Sequence, residues 1–164
     1  MSVIWKFGND VDTDQIVPGR YAPYMRPDIN VSEAAFIDAR PDFNAFASEG
    51  DVIVAGENFG CGSSRGYAVE ALVNRGIAAI FAKSFARIFY RNSLNLGLPL
   101  FESSPISEFA QDRDEFHINW NAQVFSTRDR TFTIPELPPF AIAILKTKGI
   151  VPYFAQYGNF PGED

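Results

Sequence analysis

The residues best placed to do chemistry lie together at Gly56-Glu57-Asn58-Phe59-Gly60-Cys61-Gly62-Ser63-Ser64-Arg65-Gly66. An apolar run, Val52–Ala55, precedes them, and a helical pattern from Tyr67 to Arg75 follows. The pattern predicts a strand, a glycine-rich turn and a helix whose mouth carries two serines and an arginine. A helix start offers unpaired N–H groups and the positive end of a dipole, and Arg65 adds a fixed cation. The chemistry this suits is the holding of an anionic group against a serine hydroxyl. A plain N-cap needs only one oxygen, so the paired serines, the arginine and the glycines flanking Cys61 argue for more than a turn.

Rival motifs separate by spacing. A phosphate-cradling loop needs Lys before its Ser/Thr, and Gly62-Ser63 lacks it. The dinucleotide fingerprint, started at Gly60, meets Arg65 where its last glycine belongs. The nucleophile elbow G-x-S-x-G does match, as Gly62-Ser63-Ser64-Arg65-Gly66. On that reading the chain is a stand-alone serine hydrolase. Ser64 attacks, and Asp112 or Asp114 and then His117 complete the triad. Against it, His117 sits in an alternating strand pattern and the chain is short for that fold. Cys61 is a weaker nucleophile candidate at a helix start. With no histidine near it in sequence, its small size between glycines reads as packing.

Bulk properties narrow the classes. The 164 residues suit one domain with a real core, and the net charge of −6 with no basic stripe excludes a typical nucleic-acid binder. The apolar runs are too short to span a membrane, and the N-terminus lacks a signal-peptide pattern. One Cys and one His rule out an internal disulfide, most self-contained metal sites with such ligands, and an iron–sulfur cluster held by this chain alone. Cysteine usage points to a reducing compartment.

The elements that must position the motif follow from periodicity. Residues 3–7 read as a strand, 9–15 as an acidic loop, and Pro18-Gly19 as a turn. Tyr21–Asn30 reads as an irregular loop, Ser32 as the cap of a short helix through Ile37, and Asp42–Ala47 as another short helix. Val52–Ala55, Ile77–Ala82 and Leu98–Phe101 are apolar strands separated by the motif helix and by a helix over 85–92 capped by Ser84. That order predicts right-handed parallel crossovers. Glu115–Trp120, Gln123–Thr127 and Arg130–Ile134 alternate as an antiparallel meander. A last helix opens at Pro138 or Pro139 and ends at Lys148, and the tail from Val151 reads as loosely ordered. The sum is an α/β domain over 1–164, a mixed sheet with a parallel core and an antiparallel addition.

Three ordered blocks resemble one family. Gly56–Arg65, Asp10-Val-Asp-Thr-Asp-Gln-Ile16 and Ala82-Lys-Ser-Phe-Ala-Arg-Ile-Phe-Tyr-Arg-Asn92, followed by Gly97-Leu98, are similar to the signatures of the aconitase-superfamily swivel domain. The nearest types are the small subunits of isopropylmalate isomerase (3-isopropylmalate dehydratase) and homoaconitase. The resemblance implies a swivelling β/β/α domain that closes over a separate, cytoplasmic large subunit carrying a [4Fe–4S] cluster. It implies a hydro-lyase acting on a malate-type hydroxy di- or tricarboxylate, foremost 3-isopropylmalate in leucine biosynthesis. Homoaconitase-, dimethylmalate- and methylmalate-dehydratase types remain as alternatives. It implies Ser63 as the base, Ser64 and Arg65 on a substrate carboxylate, Asp14 as an active-site aspartate, and Arg87 and Arg91 as structural support. An ordinary Asx-turn is the competing reading of Asp14. Two departures bear on substrate. Gly66-Tyr67 stands where the family usually has Glu-His or Glu-Gln, and Tyr21-Ala-Pro-Tyr-Met-Arg26 stands at the specificity loop, where Arg26 is a candidate contact for a distal carboxylate.

Overall fold

The computed structural model describes residues 1–63 and 65–163. The strands β1 (Ile4–Lys6), β2 (Val52–Val54), β3 (Ala79–Ala82) and β4 (Leu100–Glu102) form a parallel sheet in the order β1-β2-β3-β4. A second sheet holds β5 (Phe116–Asn119), β6 (Val124–Thr127) and β7 (Thr131–Thr133), all antiparallel. The helices are α1 (Thr13–Ile16), α2 (Pro41–Phe46), α3 (Gly66–Asn74), α4 (Arg87–Asn95), α5 (Ser104–Phe109), α6 (Pro139–Lys146) and α7 (Ile150–Tyr157). Among the described residues no helix is long and apolar enough to cross a membrane.

Because side chains alternate across a strand, the parallel sheet has two distinct faces. Trp5, Ile53, Ile80 and Ala82 point to one, where they meet Val69 and Leu72 of α3 and Phe89 of α4. Ile4, Val52, Val54, Ala79 and Phe81 point to the other, where they meet Ile106 of α5 and Phe125 of β6. Both faces of the sheet are buried, which is why these strands are continuous apolar runs rather than alternating ones. The result is three layers: helices, parallel sheet, antiparallel sheet. α6 joins them by packing Ala141 and Ile144 on Leu94 of α4.

This α/β architecture matches the sequence expectation, with corrections of detail. The antiparallel strands form their own layer, not an extension of one mixed sheet; among the described residues a single bridge, Val3 to Glu115, links β1 to that region. Asn30, not Ser32, caps the 3-10 turn at Val31–Ala34, with Glu33 reaching back in a capping box. Ser84 does not cap α4, whose N-cap is Ala86 without a side-chain bond. The acidic loop contains α1, capped by Asp12 with Gln15. Two helices are additional. α5 is capped by Ser103, and α7 lies in the tail expected to be loose.

One buried carboxylate ties the chain's start to β2. Asp51, 1 % exposed, accepts from the Val3 N–H at 2.9 Å, the Trp5 indole N–H at 2.8 Å and the Ser48 N–H at 3.0 Å. Asp51→Ala strands these donors and is expected to cost about 3 kcal/mol, lowering Tm by roughly 6–12 °C in a thermal melt.

Candidate active site at the carboxyl ends of the parallel strands

Past the ends of β1, β2 and β3 the chain keeps pairing, and this brings the three blocks together. The Gly56 N–H donates to Gly8 O at 3.0 Å, the Asp10 N–H to Glu57 O at 2.8 Å, and the Gly60 N–H to Val11 O at 2.8 Å. On the other side the Lys83 N–H donates to Gly56 O at 3.0 Å, the Phe59 N–H to Ser84 O at 3.1 Å and the Ala86 N–H to Phe59 O at 2.9 Å. The Ser84 hydroxyl accepts from the Asn58 N–H at 2.8 Å. The motif is therefore clamped between the other two blocks, in the crevice where open α/β sheets bind ligands.

Two glycines make the clamp possible. Gly60 has φ +84°, and a Cβ there would lie 2.1 Å from the Phe89 ring. Gly62 has φ +95° and sits against the Asp12 carboxylate, where a Cβ would approach to 2.7 Å. Both positions need the left-handed region and the missing side chain.

Ser63 follows, and its backbone is fixed while its side chain stays exposed. Its carbonyl accepts from the Thr13 hydroxyl at 3.1 Å and from the Arg65 N–H at 2.9 Å. α3 begins at Gly66 with Arg65 as N-cap and no side-chain cap. The Gly66 and Tyr67 N–H groups at the start of α3 have no backbone acceptor among the described residues. Ser63 and Arg65 line a cleft of about 200 Å³ with Thr13, Arg87, Phe89 and Asn92.

Arg65 is ion-paired to Asp14, which is anchored by donating its N–H to Asp12 at 2.7 Å. The Asx-turn reading of this loop belongs to Asp12, which leaves the Asp14 carboxylate for the arginine. The Tyr21–Arg26 loop adjoins the same site, since Gly19 abuts the Arg65 guanidinium. Arg26 itself is not among the residues lining the cleft. Its guanidinium is gripped by both Asp28 oxygens, at 2.8 and 2.9 Å, and faces the Tyr21 ring at 5.7 Å. Ser64 lies outside the described residues. Arg87, which the sequence resemblance set aside as support, lines the cleft. Its signal in the sequence was its place at the start of the second helix, directly after the clamped block.

The partners that the elbow triad needs do not gather at the described motif residues. His117 lies in the antiparallel layer, where Phe116 and Ile118 pack inward and His117 faces out. It shares a shallow depression with Asp114 that no described motif residue lines. Asp112 is committed to Arg40 at 2.6 Å. Cys61 is half-buried, and burial, together with Asp12 and Asp10, pushes its thiol pKa up, the wrong direction for a nucleophile.

A family model described as the aconitase C-terminal domain matches residues 11–103, which take in all three clamped blocks but for Asp10. The chain belongs to this family. As an aconitase C-terminal domain it is 42% identical to the homoaconitase small subunit of Thermus thermophilus, over 99% of this chain and 100% of that one. It is 43% identical to 3-isopropylmalate dehydratase small subunit 1 of Deinococcus radiodurans, over 100% and 92%. The crystal structure of 3-isopropylmalate dehydratase from Methanocaldococcus jannaschii superposes with a TM-score of 0.82 at 38% identity, covering 96% of this chain and 93% of that one. In this chain the matched region carries Ser63 and Arg65 on the lining of the cleft.

Proposed function

We propose that this chain is the small subunit of a heteromeric hydro-lyase of the 3-isopropylmalate dehydratase type, acting in the cytoplasm in leucine biosynthesis as one swivel domain over residues 1–164. The observation that carries this reading is the clamped Ser63–Arg65 cleft, open on one side, in a chain aligned end to end with small subunits.

A [4Fe–4S] cluster does not fit this chain. One cysteine cannot supply several thiolates, and among the described residues no cluster of His, Cys, Asp and Glu is arranged to hold a metal. The cluster is assigned to the large subunit. What remains for this chain is to bind, orient and move a proton. Arg65 pairs a substrate carboxylate, with Ser64 beside it, and Asp14 sets the guanidinium's direction. Ser63 takes the proton α to that carboxylate. A serine is a poor base in water, and the first N–H groups of α3 and Arg65 supply the positive field its developing oxyanion needs.

On substrate, the loop favours a branched alkyl group over a third carboxylate. Tyr24 and Met25 are exposed at 76% and 58%, while the charge of Arg26 is already matched by Asp28. Arg26 is assigned to a distal carboxylate only in substrates that have one, by exchange with Asp28. Arg26→Ala is expected to leave KM for 3-isopropylmalate within about twofold and to raise it roughly tenfold for a tricarboxylate such as homoisocitrate. An equal rise for both acids removes Arg26 from specificity.

Reconstitution tests the function. The purified chain should be inactive alone and should dehydrate 3-isopropylmalate when mixed with a cluster-bearing large subunit. Esterase activity of the chain alone, lost in His117→Ala, would overturn the reading.

A further inference from the structure

The last two helices carry an apolar groove and a set of exposed aromatic rings. One side of α6 packs Ala141 and Ile144 on α4, and the adjacent side presents Ile142 and Leu145. With Phe101 of β4, Trp120 after β5 and Ile134 after β7, these two wall a groove of about 420 Å³. Trp120 and Ile142 are exposed. Among the described residues the lining has a single charge, Lys146. The rings belong to the tail. No residue of α7 is buried, and from Gly149 to Gly162 the chain has no charged side chain. Val151, Phe154, Tyr157 and Phe160 are all exposed. A contiguous apolar surface of this kind marks an interaction site. The rings are also held in place. Tyr153 and Tyr157 lie 4.6 Å apart between centroids, and Gly158, left-handed at φ +72°, turns the chain so that Phe160 meets Phe154 at 5.1 Å. Rings already fixed lose little freedom when they are covered.

Three observations select a second copy of this chain as the occupant. Groove and rings sit on consecutive helices, so one two-fold contact lets each copy's α7 enter the other's groove, which closes the assembly at two. Charge agrees. Copies of net charge −6 repel, and the tail meets the groove without acidic side chains until Glu163, whose carboxylate is held at the Phe160 N–H and complements Lys146. Position agrees too. Gly149, just before α7, abuts Asn95 and Leu96 at the carboxyl end of α4, whereas the cleft is lined by Arg87 and Phe89 at its amino end. A copy docked on α7 leaves the cleft free. We propose that the chain forms a symmetric dimer in which Phe154, Tyr157 and Phe160 of each copy fill the groove beside α6 of the other. The exposed halves of three rings amount to roughly 300 Å². Groove walls of similar area bring each copy to about 600 Å², the low end for a specific interface, so the dimer is weak and reversible. The inference stands apart from the small-subunit reading, because it uses neither the cleft nor a substrate.

The test is sedimentation velocity of the full chain over a concentration series, with tryptophan fluorescence on the same samples. The expected result is a monomer–dimer equilibrium with Kd on the order of 10 µM. Trp120 lines the groove and Trp5 is fully buried, so emission should shift to the blue as the dimer fills, through Trp120 alone. Phe154→Glu on the tail and Ile142→Glu in the groove should each weaken the dimer at least about tenfold and abolish the shift. Both side chains are exposed, so Tm should stay near the wild-type value. Phe46→Glu, an exposed apolar residue of α2, should leave the dimer intact. A chain that stays monomeric at about 1 mM overturns the proposal. So does a dimer that survives both glutamate substitutions, a dimer formed without the Trp120 shift, or growth beyond two copies, which would mean a head-to-tail contact. A Trp120 shift seen only on adding a large subunit overturns it as well and gives the groove to that chain.

Discussion

Ser63→Ala in the reconstituted enzyme is expected to lower kcat by roughly 10²–10⁴-fold, the range lost when a general base is removed. The chain should fold and associate as before. Ser63 is exposed, and the structure holds it by its carbonyl, through Thr13 and Arg65, not by its hydroxyl. Alanine keeps that carbonyl, so the melt should shift by no more than the ~0.5 kcal/mol of an ordinary surface change. The combination is what identifies the role. A loss of turnover with a matching loss of stability or association would mean that Ser63 shapes the loop. Near-normal turnover would remove it as the base. Substrate binding should survive, because Arg65 and Asp14 are untouched.

Gly60→Ala is expected to be the most damaging single methyl in the motif. The residue sits at φ +84°, and the added carbon would fall 2.1 Å from Cγ and 2.5 Å from Cβ of Phe89. Phe89 is 2% exposed and packs edge-on to Phe59 at 5.3 Å, so its ring cannot simply swing away. Left-handed strain and overpacking together are expected to cost about 2–5 kcal/mol. Urea unfolding should show a lower midpoint with an unchanged slope. Activity should fall beyond what lost stability explains, because Phe89 also lines the cleft with Ser63. Gly66→Ala is the control. It meets open space at the first turn of α3 and should leave stability near the wild-type value. Equal destabilisation by both changes would mean that the motif's glycines serve chain flexibility and not close approach.

Much of the fold was legible because its signals are local. The apolar runs that became β2 and β3, the helix after the motif and the alternating β5–β7 all declare themselves within a short window. α5 and the Asn30 cap were local as well, in Ser103 before Pro105 and in Asn30 three residues before Glu33, but their stretches looked like loop punctuation. α7 buries no residue and carries Pro152 in its first turn, so its aromatic, Gly/Pro-rich stretch looked like a loose tail. Ser84 misled because its oxygen answers an N–H twenty-six residues away. In sequence, a serine before a helical run looks the same whether it caps that run or holds a distant loop.

The sequence by itself determined the chemistry on offer: a serine pair and an arginine at a glycine turn, too few cysteines for a cluster, and three blocks of one family. It could not decide which charges are free, because ion pairing depends on through-space distance. Only the tertiary structure tied Arg26 to Asp28, aimed Asp14 at Arg65 and turned His117 away from the motif. Clamping residues far apart in the chain beyond the ends of parallel strands is what converts the motif from a turn into a cleft lined by Ser63 and Arg65.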